Sequence, residues 1–180
     1  MTTITINVTG MAAAAKISRL AQAVGPKIIL KVIGQRLLSY VDESFRTRGR
    51  GTWKPLSPLT LETRQHGGDV PLQDSGRYRQ SYVQESDGAS YVEVGTSLKG
   101  ANGAPLGPIH EHGTGPYTIR VRNARVLAAR RRTGGWLFFG KEVKHPGVPA
   151  RPVLPNQHTA ERLVGDVVEG MLGEIANGSG

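Results

Sequence analysis

The chain predicts an α+β fold in which an antiparallel sheet of about four strands packs against a long N-terminal helix and a C-terminal helix, with long loops between. Three observations carry this. Apolar residues recur at helical spacing between positions 26 and 46 and again between 156 and 176, and the stretch between them holds strand-type runs around an Asp-Gly turn. At 180 residues the chain is one domain of ordinary size, long enough to bury roughly 70% of its unfolded surface. We divide that single domain, 1–180, into an extended arm (1–10), a helical segment (11–46), a loop with short helices (47–81), the antiparallel sheet (82–143), a Pro-rich connector (144–155) and the C-terminal helix (156–176).

Composition excludes several chemistries. With no cysteine there is no disulfide framework, no thiolate nucleophile and no Cys-ligated zinc or iron–sulfur cluster. The 23 Lys and Arg against 14 Asp and Glu give a net charge of +9, a positive field suited to nucleic acid, anionic surfaces or acidic proteins. The start lacks a basic segment followed by an apolar core, and no apolar run is long enough to span a bilayer, so the expectation is a soluble protein without a membrane partner. No cofactor is expected.

Ile4, Ile6 and Val8 alternate on one face of a short N-terminal strand, which serves equally as an arm pairing with a neighbouring chain. Ile17, Leu20, Ala21 and Val24 then follow a helical period until Gly25-Pro26 breaks it, and Pro26 sits well at the start of a second helix. Ile29, Val32, Ile33, Leu37, Tyr40, Val41 and Phe45 make the apolar face of that helix. Ser57-Pro58 reads as an N-cap followed by a first-turn proline, and Asp74 or Ser75 begins another short helix. Asp87-Gly88 marks a hairpin between Tyr82–Ser86 and Ala89–Gly95, and a flexible Gly-rich excursion leads to Ile109. Tyr117–Arg122 and Trp136–Val143 supply two more strands. Pro146, Pro149 and Pro152 remove three N–H donors, which makes 145–154 an extended segment and not a central strand. Ala160, Leu163, Val164, Val167, Val168, Met171, Leu172 and Ile175 define the final helix, with Gly165, Gly170 and Gly173 on its outer side.

Candidate contact residues are basic. Arg120, Arg122, Arg125, Arg130, Arg131 and Arg132 fall on two adjacent strands and their turn, a surface for phosphate, for an acidic partner ring or simply for solvent. Arg48 and Arg50 precede Trp53, which reads either as an anion or protein contact or as a solvated loop anchored by a core Trp. Arg151 is the natural polar anchor if the Pro-rich segment is a docking surface and not a spacer. His110 and His112, two apart on a strand, would face the same way and form a weak metal pair with His145, but no acidic pair accompanies them. The plainer reading has these histidines capping a turn or lining a subunit interface. No catalytic set is evident, and the chain is not read as an enzyme.

The ordered series GTWKPLSPLTLETR, PLQDSGRYRQSY, YVEVGT and IHEHG resembles the virion morphogenesis, or tail-completion, family of Mu-like and P2-like phages. The later half, from Tyr117 through HPGVPARPVL, is similar to HK97-type neck and tail-completion proteins. The resemblance covers roughly residues 45 to 155. Tyr78 stands where that family commonly has Leu, Val153 where Phe is usual, and the Gly-rich loop before Ile109 is longer than in compact relatives. What it implies is a structural virion protein, assembled in the host cytoplasm, that completes the tail or joins it to the head at the neck. The expected assembly is a hexameric ring around the DNA channel, touching a connector or head-closure protein and a tail tube or terminator protein, with non-specific contact to genomic DNA. Alternatives are a DNA-binding assembly or regulatory factor and a metal-dependent hydrolase built on the His cluster.

Overall fold

The computed structural model describes residues 2–7, 14–66 and 68–178. The chain divides into two compact units, one built from Met1–Ser44, Ser81–Ser97 and Leu154–Gly180, the other from Phe45–Gln80 and Leu98–Val153.

In the first unit, strand β1 (Thr2–Asn7) is followed by helix α1 (Ala14–Val24), which buries Ile17 and Leu20 and ends at Gly25 with a positive φ of 84°. Helix α2 (Pro26–Arg46) restarts with proline in the first turn, where its missing N–H costs nothing. Ile29, Leu30, Ile33, Leu37 and Val41 form its buried stripe. Strands β2 (Val83–Ser86) and β3 (Tyr91–Thr96) form the expected hairpin, with β3 central in the order β1-β3-β2. Asp87 fixes the turn: its Oδ1 accepts the N–H groups of Ala89, Ser90 and Tyr91 at 2.9, 2.9 and 3.1 Å, and its other oxygen accepts the Ser90 hydroxyl. Those donors hold its carboxyl well below the usual carboxylate range.

Val92 and Val94 fill the buried face of β3. Gly34 lets α2 lie close to the sheet, since a Cβ there would stand 2.1 Å from the Gln84 side chain. The C-terminal helix, α6 (Gln157–Gly178), buries Ala160, Leu163, Val164 and Val168. Asn156 caps it through Oδ1 to the Thr159 N–H at 2.9 Å, and Glu169 pairs with Lys16 of α1. Gly165, Gly170 and Gly173 face open space, as their spacing predicts. Each lowers helix propensity by about 1 kcal/mol against Ala, so α6 depends on its packed face.

The second unit begins with an unusual turn. Arg48, Gly49, Arg50 and Gly51 all have positive φ (53°, 64°, 57° and 79°), closed by Gly51 N–H to Thr47 O at 2.9 Å. Two non-glycine residues there carry backbone strain. The turn delivers Trp53 into a cluster with Phe45 and Tyr78, edge to face at 5.8 and 5.9 Å from the Phe45 ring. Helix α3 (Pro58–Thr63) is capped by Ser57 Oγ accepting the Thr60 N–H at 3.1 Å. Helix α4 (Arg77–Gln80) follows, then α5 (Leu106–His112), which tolerates Pro108 because it sits in the first turn. Two ribbons complete the unit: β4 (Tyr117–Arg120) with β7 (Glu142–His145), and β5 (Leu127–Arg130) with β6 (Trp136–Gly140).

Several expectations change. The α+β class stands, but the strands form three small antiparallel sheets among the described residues and not one sheet of four. The break expected at Gly25-Pro26 is present, so the helical segment 11–46 holds two helices and not one long N-terminal helix; residues 11–13, like 8–10 of the arm, lie outside the described residues. Thr2–Asn7 of the arm pairs with β3 of its own chain, Ile4 opposite Val94. Tyr117–Arg122 is shorter, and Trp136–Val143 is two strands separated at Gly140, whose φ is 81°. The Gly-rich excursion is closed by bonds from Leu106 N–H to Leu98 O and Gly100 N–H to Ala104 O, at 2.9 and 2.8 Å. His110 and His112 belong to a helix, where residues two apart point to different sides.

Candidate interaction surface on the β-ribbons

β5 and β6 pair with Ala128 opposite Phe138, Ala129 opposite Leu137 and Arg130 opposite Trp136. Side chains alternate across a strand, so Ala129, Leu137 and Phe139 share the half-buried face while Ala128, Arg130, Trp136 and Phe138 share the other. Trp136 is 58% exposed and Phe138 69%. Two large aromatics on one ribbon face, in register with an arginine, make a surface that solvates poorly.

The six candidate arginines are not equivalent. Arg120 Nε donates to Glu142 Oε2 across β4 and β7 at 3.1 Å. Arg131 Nε lies 2.9 Å from Glu62 Oε1, and the Arg132 N–H donates to the Glu62 carbonyl at 2.7 Å, so the ribbon turn is tied to α3. Gln65 adds an amide donation to the Arg130 carbonyl at 3.2 Å. Arg122, Arg125, Arg130 and Arg132 are exposed and have no carboxylate at ion-pair distance among the described residues. The surface is therefore both aromatic and cationic, a composition typical of protein contact patches with arginine and aromatic anchors.

The other candidates are placed differently. Trp53 is an interior residue, 7% exposed, and its Nε1 donates to the Pro152 carbonyl at 3.0 Å. Its area goes to packing and not to a partner. Arg151 is likewise interior at 6% exposure, with Nε and Nη2 each donating to the Lys54 carbonyl at 3.0 Å and Nη2 also to that of Pro55 at 3.2 Å. Arg48 forms a two-pronged pair with exposed Asp69 at 3.1 and 3.2 Å, and Arg50 is exposed beside it. His112 is exposed at the end of α5, while His145 stacks on Tyr117 at 4.6 Å and accepts the Gly147 N–H at Nδ1.

His110 packs against Tyr78 with ring centroids 4.8 Å apart, and its Nδ1 is buried without a hydrogen-bond partner among the described residues. Burial, and after it the Arg151 charge, pushes its pKa down to about 4, so the ring is neutral at neutral pH. No group of three or more His, Asp or Glu side chains with metal-ligand geometry occurs among the described residues. Of the weak metal set, His110 and His112 point to different sides of α5, with His110 on Tyr78, while His145 ends β7 and stacks on Tyr117.

Trp136 and Phe138 were not among the expected site residues. The alternation Trp136-Leu137-Phe138-Phe139 carries no sequence signal for which aromatic pair faces outward; the position of α3 under the ribbon decides it. Family models, curated proteins and solved structures were compared with the chain, and none matches. Among the described residues no helix is long and apolar enough to cross a membrane.

Proposed function

We propose that this chain is a structural virion protein of a tailed phage that completes the tail or joins it to the head, acting in several copies as a ring at the neck. The reading starts from the ordered motifs between Trp53 and Leu154. The observation that carries it furthest is the outward ribbon face, where Trp136 and Phe138 stand exposed with Arg130, while Arg122, Arg125 and Arg132 have no carboxylate partner among the described residues. Such a face is costly to leave in water and is satisfied by a partner subunit. A closed ring needs head-to-tail contacts, in which this face meets a different surface of the next copy or of an adjoining ring. Six copies is the assembly proposed, with a connector or head-closure protein on one side and a tail tube or terminator protein on the other.

The four exposed arginines also favour a second contact, with the phosphates of the DNA in the channel. That contact reads charge and not sequence, because phosphates are the same at every base pair. The test is mass-spectrometric and immunogold localisation in particles, with microscopy of particles assembled without this gene product. Separate heads and tails, and the protein at the neck of complete virions, are the expected result. Normal infectious particles lacking the protein would overturn the reading.

A further inference from the structure

The second unit carries an open pocket of about 470 Å³ that collects side chains from the Leu56–Thr63 segment, the α4 region, the Gly-rich loop, α5 and the Pro-rich segment. A volume of that size suits a small ligand or a single inserted side chain with its neighbours. Its charge is one-sided. Arg64 is spoken for by Asp74, through Nε to Oδ1 at 3.1 Å, and by the Val70 carbonyl at 2.7 Å. Arg77, Lys99 and Arg151 line the same cavity and have no carboxylate at ion-pair distance among the described residues.

Arg151 is the decisive member. A guanidinium 6% exposed is expensive to desolvate, and buried charges are ordinarily paired. Here Nε and Nη2 are spent on the carbonyls of Lys54 and Pro55, which supply partial charge only, and Nη1 has no acceptor among the described residues. Beside it, the buried His110 Nδ1 has no hydrogen-bond partner among the described residues. One buried ring nitrogen without a partner and one guanidinium edge that the protein leaves to solvent thus lie in the lining of one pocket, where a ligand can engage both.

The walls set the ligand's body. Leu56, Leu72, Leu98 and Leu106 line the cavity with the Tyr78 ring, so a strongly hydrated dianion would lose water against apolar surface. We propose that this cavity binds a carboxylate carried on a short apolar body, with Arg151 as its counter-ion, His110 Nδ1–H as a further donor, and Arg77 and Lys99 drawing it in at the mouth. A free small acid and an acidic residue of a protein segment share that chemistry. The inference does not depend on the assembly reading.

The experiment uses the full chain and observes the His110 ring by NMR during titration with hexanoate, with hexanamide as the uncharged control and inorganic phosphate as the hydrated anion. Saturable binding of hexanoate, little or none of hexanamide or phosphate, and a rise in the His110 pKa when hexanoate is bound are expected. Because Arg151→Gln removes bonds that hold Lys54 and Pro55, the double variant Arg77→Glu/Lys99→Glu at the exposed mouth is the second probe. It should keep the fold and weaken hexanoate by roughly tenfold or more, the scale of lost charge-assisted contacts. An acetylated Leu-Glu-Leu amide peptide distinguishes the sources: tighter binding than hexanoate assigns a protein segment, weaker binding a free acid. Equal binding of hexanoate and hexanamide, no response of His110 to either acid, or an unchanged affinity in the double variant would overturn the proposal.

Discussion

The backbone N–H of Arg151 donates to the carbonyl of His110 at 2.6 Å, joining the Pro-rich segment to the last turn of α5. The same seam continues with Thr114 N–H to Val148 O and Val148 N–H to Thr114 Oγ1, both 2.9 Å, and with Val153 N–H to Glu111 Oε1 at 2.9 Å. A segment rich in proline cannot join a sheet through every residue, and this seam uses only the N–H groups that its prolines leave. It also explains why Arg151 is held so firmly inside.

The seam depends on two glycines. Gly113 and Gly147 have φ of 73° and 95°, and a Cβ would stand 2.6 Å from Val148 O at the first and 2.2 Å from Thr114 O at the second. Gly113→Ala and Gly147→Ala should each destabilise the protein by about 2 kcal/mol or more, from strain plus backbone clash. Urea denaturation midpoints measure this; a loss under half a kcal/mol for both would show that the seam is dispensable.

Acid should weaken the fold through His110. Its folded pKa of about 4 lies below the ordinary 6.5, so between these values the unfolded chain binds more protons. The stability it contributes is present above pH 6.5 and is lost as pH falls toward 4. After allowance for solvent screening at this half-buried ring the loss is on the order of 2 kcal/mol. Comparing wild type with His110→Asn between pH 5 and 6.5 isolates the effect from the carboxylates, and the variant's stability should be the flatter of the two.

Replacing Trp136 and Phe138 together by Ser should leave unfolding stability within about 0.5 kcal/mol, since neither side chain is packed within its ribbon's inner face. Production of infectious particles should fall sharply. Full infectivity with an intact fold would remove the ribbon face from the assembly.

Neutralising Arg122, Arg125, Arg130 and Arg132 to Ala should spare the melting temperature, because none holds an ion pair among the described residues. Binding to random duplex DNA should weaken, with the salt dependence of log affinity shallower by about 3 to 4, near 0.9 for each charge. An unchanged slope would assign these arginines to protein and not to phosphate.

Much of the first unit was legible because its signals are local. The apolar period of α2 and α6 and the Asp87-Gly88 turn each depend on residues within a few positions of one another, as does the Ser57 cap in the second unit. β5 was not legible: Leu127-Ala128-Ala129-Arg130 contains two alanines, which carry little strand preference, and it is a strand only because β6 lies beside it. The division into three sheets is equally non-local. Among the site residues, the arginine-rich ribbon was visible from composition, but which of its charges are cancelled depends on Glu62 and Glu142, far apart in sequence. The cavity left no sequence signal, since Arg64, Lys99 and Arg151 meet only through tertiary structure. Trp53 could be read as a contact or as a core anchor, and Arg151 as a docking anchor, because sequence shows residue type and not the neighbours that bury it.

The division of the chain between its two units has a consequence for synthesis. Every residue of the second unit lies between 45 and 153, whereas the first draws on residues up to α6 and pairs Thr2–Asn7 with Tyr91–Thr96. A ribosome therefore releases all parts of the second unit before the helix that completes the first has begun to emerge. Helix α1 must wait without its α6 contact, and a pause or a truncation before residue 157 leaves the apolar surface that α6 meets available to aggregation or to a chaperone.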